Sequence, residues 1–184
     1  TYIEGELLEK KGKEFIVSLN SPIALCCGEA MSLEKATAFV KRQAQEFVTT
    51  NKKRFGENYD CYNAMQSVLA WDNIYDPSIR KVITPVSRIW SSEWFASEDF
   101  GGFTLFCWDT YFAAMMLAVG SKELAYANAV EITKAITESG FVPNCFYSNN
   151  FKSRDRSQPP VGSLAVWTLY KQYQEKWFLE LLYK

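Results

Sequence analysis

The chain has 184 residues, with 20 basic and 21 acidic side chains, no histidine and a net charge of −1. A near-neutral chain lacks the basic patch that phosphate backbones require, which argues against a nucleic-acid partner; the missing imidazoles exclude Ser-His and Cys-His catalysis and every histidine-containing zinc site. At 48% hydrophobic and 16% aromatic residues, it is long enough for a real core and rich in rings, whose faces also stack on the C–H faces of sugars.

The five cysteines, Cys26, Cys27, Cys61, Cys107 and Cys145, show no C-x-x-C spacing and are odd in number. Reduced, mostly buried thiols are the expectation, and neither a metal nor a cofactor is expected. No N-x-S/T sequon and no signal peptide is visible, which leaves a cytoplasmic or a periplasmic location open. The chain starts at Thr1 and not at Met, as expected of a processed product or a piece of a longer chain. The longest apolar run, Phe103 to Val119, is interrupted by Asp109 and is short for a membrane span, so no membrane partner is expected.

In chain order, Thr1 to Lys13 is charged and poorly periodic. Glu14 to Leu19 and Ile23 to Cys27 are short apolar runs divided by Asn20-Ser21-Pro22, which predicts a hairpin. Ser32 is a good N-cap for a helix over Ser32 to Arg54. Its apolar positions Leu33, Ala36, Phe39, Val40, Ala44, Phe47 and Val48 follow the helical period and predict an amphipathic helix lying on a core. A second helix is expected over Asn58 to Tyr75, ended by Pro77. Ser78 to Ser97 reads as an irregular loop carrying Arg88, Trp90 and Trp94, and long loops so furnished are more often functional than idle.

Gly101-Gly102 opens a turn into a third helix, about Phe106 to Val119, apolar nearly all round and so expected to be buried on all sides. Asp109 is its exception, and a carboxylate there is also what a helix N-terminus favours. Ser121 caps a one-sided fourth helix that Gly140 should stop. A fifth helix over Pro160 to Tyr173 is again apolar on most sides, and Trp177 to Tyr183 begins a sixth. Covered, one-sided, covered is the alternation of a two-layer helical toroid, whose interlayer connections carry polar residues at one rim. A plain helical bundle is the alternative that periodicity leaves open.

Between the fourth and fifth helices lies the polar stretch Gly140 to Pro160, with Asn144, Arg154, Asp155, Arg156, Ser157 and Gln158 near its center. Arginine offers planar donors, and aspartate offers acceptors. The set suits a ligand made of hydroxyls, each of which donates and accepts. The plainer reading is a solvated loop with an exposed Arg-Asp pair, worth little.

Three motifs in this order and spacing carry a resemblance. GGFTLFCWDTYF (Gly101 to Phe112), GFVPN (Gly140 to Asn144) and RSQPP (Arg156 to Pro160) are similar to those of glycoside hydrolase family 63 and the related trehalases, the (α/α)6-barrel glycosidases. The resemblance extends over about Met65 to Trp177. It implies a mainly α fold: an N-terminal portion of the catalytic barrel over residues 31–184, preceded over residues 1–30 by the end of a β-sandwich or a linker. It implies that Trp108, Asp109, Asn144, Arg156 and Gln158 contact the non-reducing sugar of an oligosaccharide or small glycoside. The arginine that trehalases place after the glycines is Phe103 here, which speaks against trehalose.

Inverting hydrolysis needs a general acid and a general base whose carboxyls stand roughly 6.5–9.5 Å apart. The family carries both on later inner-helix connections, and no matching motif occurs in these residues. The implied function is therefore part of an inverting α-glycosidase, with this segment supplying sugar contacts and no catalytic residue. The alternative is a non-catalytic carbohydrate-binding or interaction module built on a half barrel. Either way, the rest of the barrel or a second copy of the chain is the expected protein partner.

Overall fold

The computed structural model describes residues 2–12, 14–77, 80–85, 103–147 and 151–183. Two compact units divide at Tyr59/Asp60, and the fold is mainly helical.

The first unit holds four short strands and one long helix. Strand β1 (Tyr2–Glu4) pairs antiparallel with β4 (Ala24–Cys26), and β2 (Leu7–Lys11) pairs antiparallel with β3 (Glu14–Val17). The hairpin expected between 14–19 and 23–27 is thus not formed: each run pairs with a strand from the charged N-terminal stretch instead. Gly12, at φ +61°, makes the tight β2–β3 turn possible, a conformation that glycine adopts without the Cβ penalty. The alternation that normally betrays a strand is missing from β2, whose five residues are all exposed.

Helix α1 (Leu33–Phe55) starts as the sequence predicts, with the Ser32 hydroxyl accepting from the amide of Lys35. Gly56 follows it and opens a short 3-10 turn to Asn58. The apolar stripe of α1 does not lie on a core. Phe39, Val40 and Phe47 are 45%, 63% and 48% exposed, and Asn51 is the buried residue of the helix. Two-stranded ladders offer too little surface to cover such a stripe. By contacts, α1 groups with the strands before it, whereas the sequence reading sets a boundary near residue 30.

The second unit contains α2 (Tyr59–Asp72), a ladder of β5 (Ile74–Asp76) with β6 (Lys81–Ile83), β7 (Thr104–Phe106), α3 (Cys107–Leu117), α4 (Lys122–Lys134), β8 (Cys145–Tyr147), α5 (Gly162–Tyr173) and α6 (Lys176–Leu182). Strand is therefore not confined to the first thirty residues: β5–β6 and β7–β8 are further two-stranded ladders. Arg88, Trp90, Trp94 and Gly101-Gly102 lie outside the described residues.

Helix α4 is the center of this unit. It packs on α3, α5, α6 and β6, and Ala125, Ala129 and Ile132 are completely buried. The Ser121 hydroxyl caps it, accepting from Leu124 N. It ends at Lys134, well before the Gly140 that the sequence marks as its stop; Thr137 and Phe141 close the intervening turn through a 2.9 Å backbone bond. Around α4, one core joins Leu69, Ala114, Leu117, Leu169 and Phe178, and another joins Ile83, Leu105, Tyr111 and Ala165.

Helix α3 departs from its expected burial. Cys107, Tyr111, Ala114 and Leu117 are inside, but Trp108, Phe112 and Met116 form an open stripe four residues apart. An all-apolar helix is covered only on the faces that meet a neighbor, and α3 meets α4 and α5 on one side. Helix α5 likewise buries Ala165 and Leu169 and leaves Leu164 and Trp167 open.

A buried polar link fastens α4 to the segment after β6. Asn128, fully buried, accepts from Thr84 N at 2.9 Å and donates to Thr84 Oγ1 at 3.0 Å and to the Leu124 carbonyl at 2.9 Å. Asn128→Leu keeps the volume but strands the Thr84 amide. An orphaned buried donor costs about 1–3 kcal/mol, so urea denaturation should show a loss of that size with an unchanged m-value.

A second link joins the start of α4 to the α5–α6 junction. The Glu175 carboxylate accepts from Lys122 Nζ and from Trp177 Nε1, both at 2.7 Å. The Lys122 hydrogen bond, then that of Trp177, hold Glu175 below its ordinary range. A depressed carboxylate stabilises the fold above its unfolded pKa, about 4.3, and that contribution is lost as pH falls through the folded value. Glu175→Gln should therefore melt below wild type at neutral pH, with the gap closing as the solution is acidified.

Candidate functional site

The three motifs meet at the start of α3. Strand β7 runs straight into α3, so Phe106 occupies the N-cap position without a side-chain oxygen to cap with. The first amides of a helix have no partner within it, and here remote groups fill that role. Cys107 N donates to the Asn144 carbonyl at 3.0 Å, and Trp108 N donates to Gln158 Oε1 at 2.8 Å. Asp109 stands in the same first turn, where a negative charge complements the helix dipole.

The partner segments are themselves tied together. Phe106 faces Cys145 in the β7–β8 ladder. On its other edge, Cys145 donates to Ser153 Oγ and accepts from Ser153 N, both at 3.1 Å. Asn144 N then donates to the Arg156 carbonyl at 3.0 Å. Residues 107–108, 144 and 156–158 thus form one hydrogen-bonded cluster. All five residues expected to contact sugar sit on or beside it.

Their side chains differ in availability. The Trp108 indole is 37% exposed, and its ring lies 6.1 Å from that of Phe112 at 46°. The Arg156 guanidinium pairs with the neighboring Asp155 carboxylate, and both are well exposed. Arg154 reaches Glu138 at 3.9 Å. Gln158 has its oxygen committed to the Trp108 amide.

Behind the cluster, burial raises the Cys107 thiol above its ordinary range; hydrogen bonds from Ser157 and the Gln158 backbone oppose that, and Asp109 adds to it. Burial also raises the Tyr111 phenol, against its hydrogen bond with Thr133. Both groups stay neutral at ordinary pH.

A cavity of about 800 Å³ lies next to this cluster, with Cys107, Tyr111, Thr133, Ser157 and Trp167 in its wall. None of Trp108, Asp109, Asn144, Arg156 and Gln158 lines it. The sequence reading singled out Ser157 but missed Cys107, Tyr111, Thr133 and Trp167, whose types suit a helix core. The available signal was Gly162, at the first position of α5: a Cβ there would come within 2.8 Å of the Tyr111 ring. Among the described residues, no group of three or more His, Cys, Asp or Glu could hold a metal, and no helix is long and apolar enough to cross a membrane. No protein-family model, curated protein or solved structure matches this chain.

The capping geometry makes a direct prediction. Removing a helix-capping acceptor costs about 0.5–2 kcal/mol, so Gln158→Ala should lose that much stability in denaturant titration. Gln158→Glu keeps an acceptor and places a charge where the helix dipole favours it, and should match or exceed wild type.

Proposed function

We propose that this chain is the sugar-binding part of an inverting α-glycosidase acting on α-glucosides or related oligosaccharides, built as an N-terminal portion of an (α/α)6 barrel. The observation that supports it is the cluster itself: Trp108, Asn144, Arg156 and Gln158, drawn from three motifs far apart in sequence, are joined by hydrogen bonds at one helix N-terminus. In this reading Trp108 supplies a ring for the sugar's C–H face. Asp109, Asn144 and Arg156 supply acceptors and donors for its hydroxyls.

The general acid and base belong to a part of the enzyme outside these residues. The open stripes on α1 (Phe39, Val40, Phe47) and α3 (Trp108, Phe112, Met116) support the matching expectation that further helices or a second copy cover them. A non-catalytic carbohydrate-binding module on the same scaffold would use the same contacts.

The test is calorimetric titration of the chain with α-linked glucose disaccharides, alongside an assay of their hydrolysis. Saturable binding without turnover is expected. Charge-assisted hydrogen bonds are worth about 1.5–3 kcal/mol each, so Asp109→Asn and Arg156→Ala should each weaken binding about tenfold or more. Absence of binding, or binding indifferent to both substitutions, overturns the reading. Turnover lost in Asp109→Asn would place catalysis in this chain after all.

A further inference from the structure

Ser153 stands where the two partner segments of the cluster meet, and it is buried. Lys152 pairs with Phe146 across an antiparallel bridge, which brings the chain back along β8. One residue later the backbone pattern changes. Ser153 N donates to the Cys145 carbonyl at 3.1 Å, but the Cys145 amide turns to the Ser153 hydroxyl, also at 3.1 Å, in place of a main-chain oxygen. The proton of that hydroxyl is directed at the Arg156 carbonyl, 3.5 Å away. The same carbonyl accepts from the Asn144 amide at 3.0 Å. A serine suits this place because its hydroxyl accepts and donates at once. The bond to Arg156 is long, so the acceptor for the buried Cys145 amide is the larger contribution, and an orphaned buried donor is costly.

Other side-chain ties of this segment are weaker. Lys152 reaches the Ile136 carbonyl and Arg154 reaches Glu138, both in exposed positions, and exposed ion pairs contribute little. One buried hydroxyl therefore holds Cys145, the neighbor of Asn144, beside the carbonyl of Arg156. We propose that Ser153 is a positioning residue: it meets no ligand itself, and its hydroxyl sets how the Asn144 and Arg156 side chains stand relative to each other. Its consequence for recognition rests on the sugar-binding reading; the positioning itself does not.

The experiment compares wild type with Ser153→Ala, Ser153→Thr and Asn128→Leu in the 184-residue chain. Maltose affinity is measured by calorimetry and amide hydrogen exchange by NMR, at a temperature where melting curves show each variant folded. Ser153→Ala removes the hydroxyl and Ser153→Thr keeps it. Asn128→Leu weakens the fold away from the cluster and reports what lost stability alone does. In Ser153→Ala the Asn144 amide should exchange about tenfold or more faster and maltose should bind about fivefold or more weakly, as the loss of one buried hydrogen bond implies. Ser153→Thr should recover both, and Asn128→Leu should leave maltose affinity within about twofold of wild type. If the added methyl prevents Ser153→Thr from folding, the comparison of Ser153→Ala with Asn128→Leu decides. Unchanged Asn144 exchange in Ser153→Ala overturns the proposal. So does maltose affinity that is unchanged in Ser153→Ala, or equally weakened in Asn128→Leu. A Ser153→Ala chain that does not fold overturns it too, since the hydroxyl then serves the whole fold. A wild type that binds no maltose defeats the sugar-binding reading, and the Asn144 exchange alone then upholds or overturns the positioning.

Discussion

Helix α3 begins without a cap of its own, and much of the site's geometry depends on how that deficit is met. Phe106 carries no side-chain oxygen, so the amides of Cys107 and Trp108 take their acceptors from elsewhere in the chain. The Asn144 carbonyl and the Gln158 amide oxygen meet the need. Each bond brings a distant segment to the same place. A helix that capped itself with serine, as α1 and α4 do, would impose no such convergence.

That arrangement gives several residues two roles at once. The Gln158 side-chain oxygen is spent as a helix cap, so the sugar contact proposed for it falls to its amide nitrogen. Asp109 complements the helix dipole from the first turn and also presents a carboxylate beside Trp108. Arg156 contributes its carbonyl to the cluster and its guanidinium to Asp155. An exposed pair of that kind is weak, so a ligand with a better-placed acceptor can take the guanidinium at little cost.

Around this cluster, α4 provides the rigid support. Asn128 and Glu175 lock its two sides by different means. Asn128 is a fully buried amide that uses both amide protons and its oxygen. Glu175 is a partly exposed carboxylate held by an ammonium and an indole. Tyr126 packs at the Glu175 end, stacked on Phe178 at 4.3 Å and edge-on to Tyr173 and Trp177. Its phenol is pushed up to about 12, by burial first and then by the Glu175 charge, so it stays neutral beside that carboxylate.

The sequence by itself determined where most helices lie and which polar stretch joins α4 to α5. Serine caps and 3.6-residue apolar periods are local signals: Ser32 and Ser121 act within three residues, and the structure keeps both. Only the tertiary structure decided strand pairing, burial and the site's wiring. The charged stretch that forms β1 and β2 has no alternation to read, because pairing there depends on partners elsewhere in the chain. An all-apolar helix such as α3 has no face marked as outside, so its open stripe is set by which neighbors arrive. The bond from Trp108 to Gln158 spans fifty residues. It arises because an uncapped helix must find its acceptor in space, and no local pattern in either segment encodes that meeting.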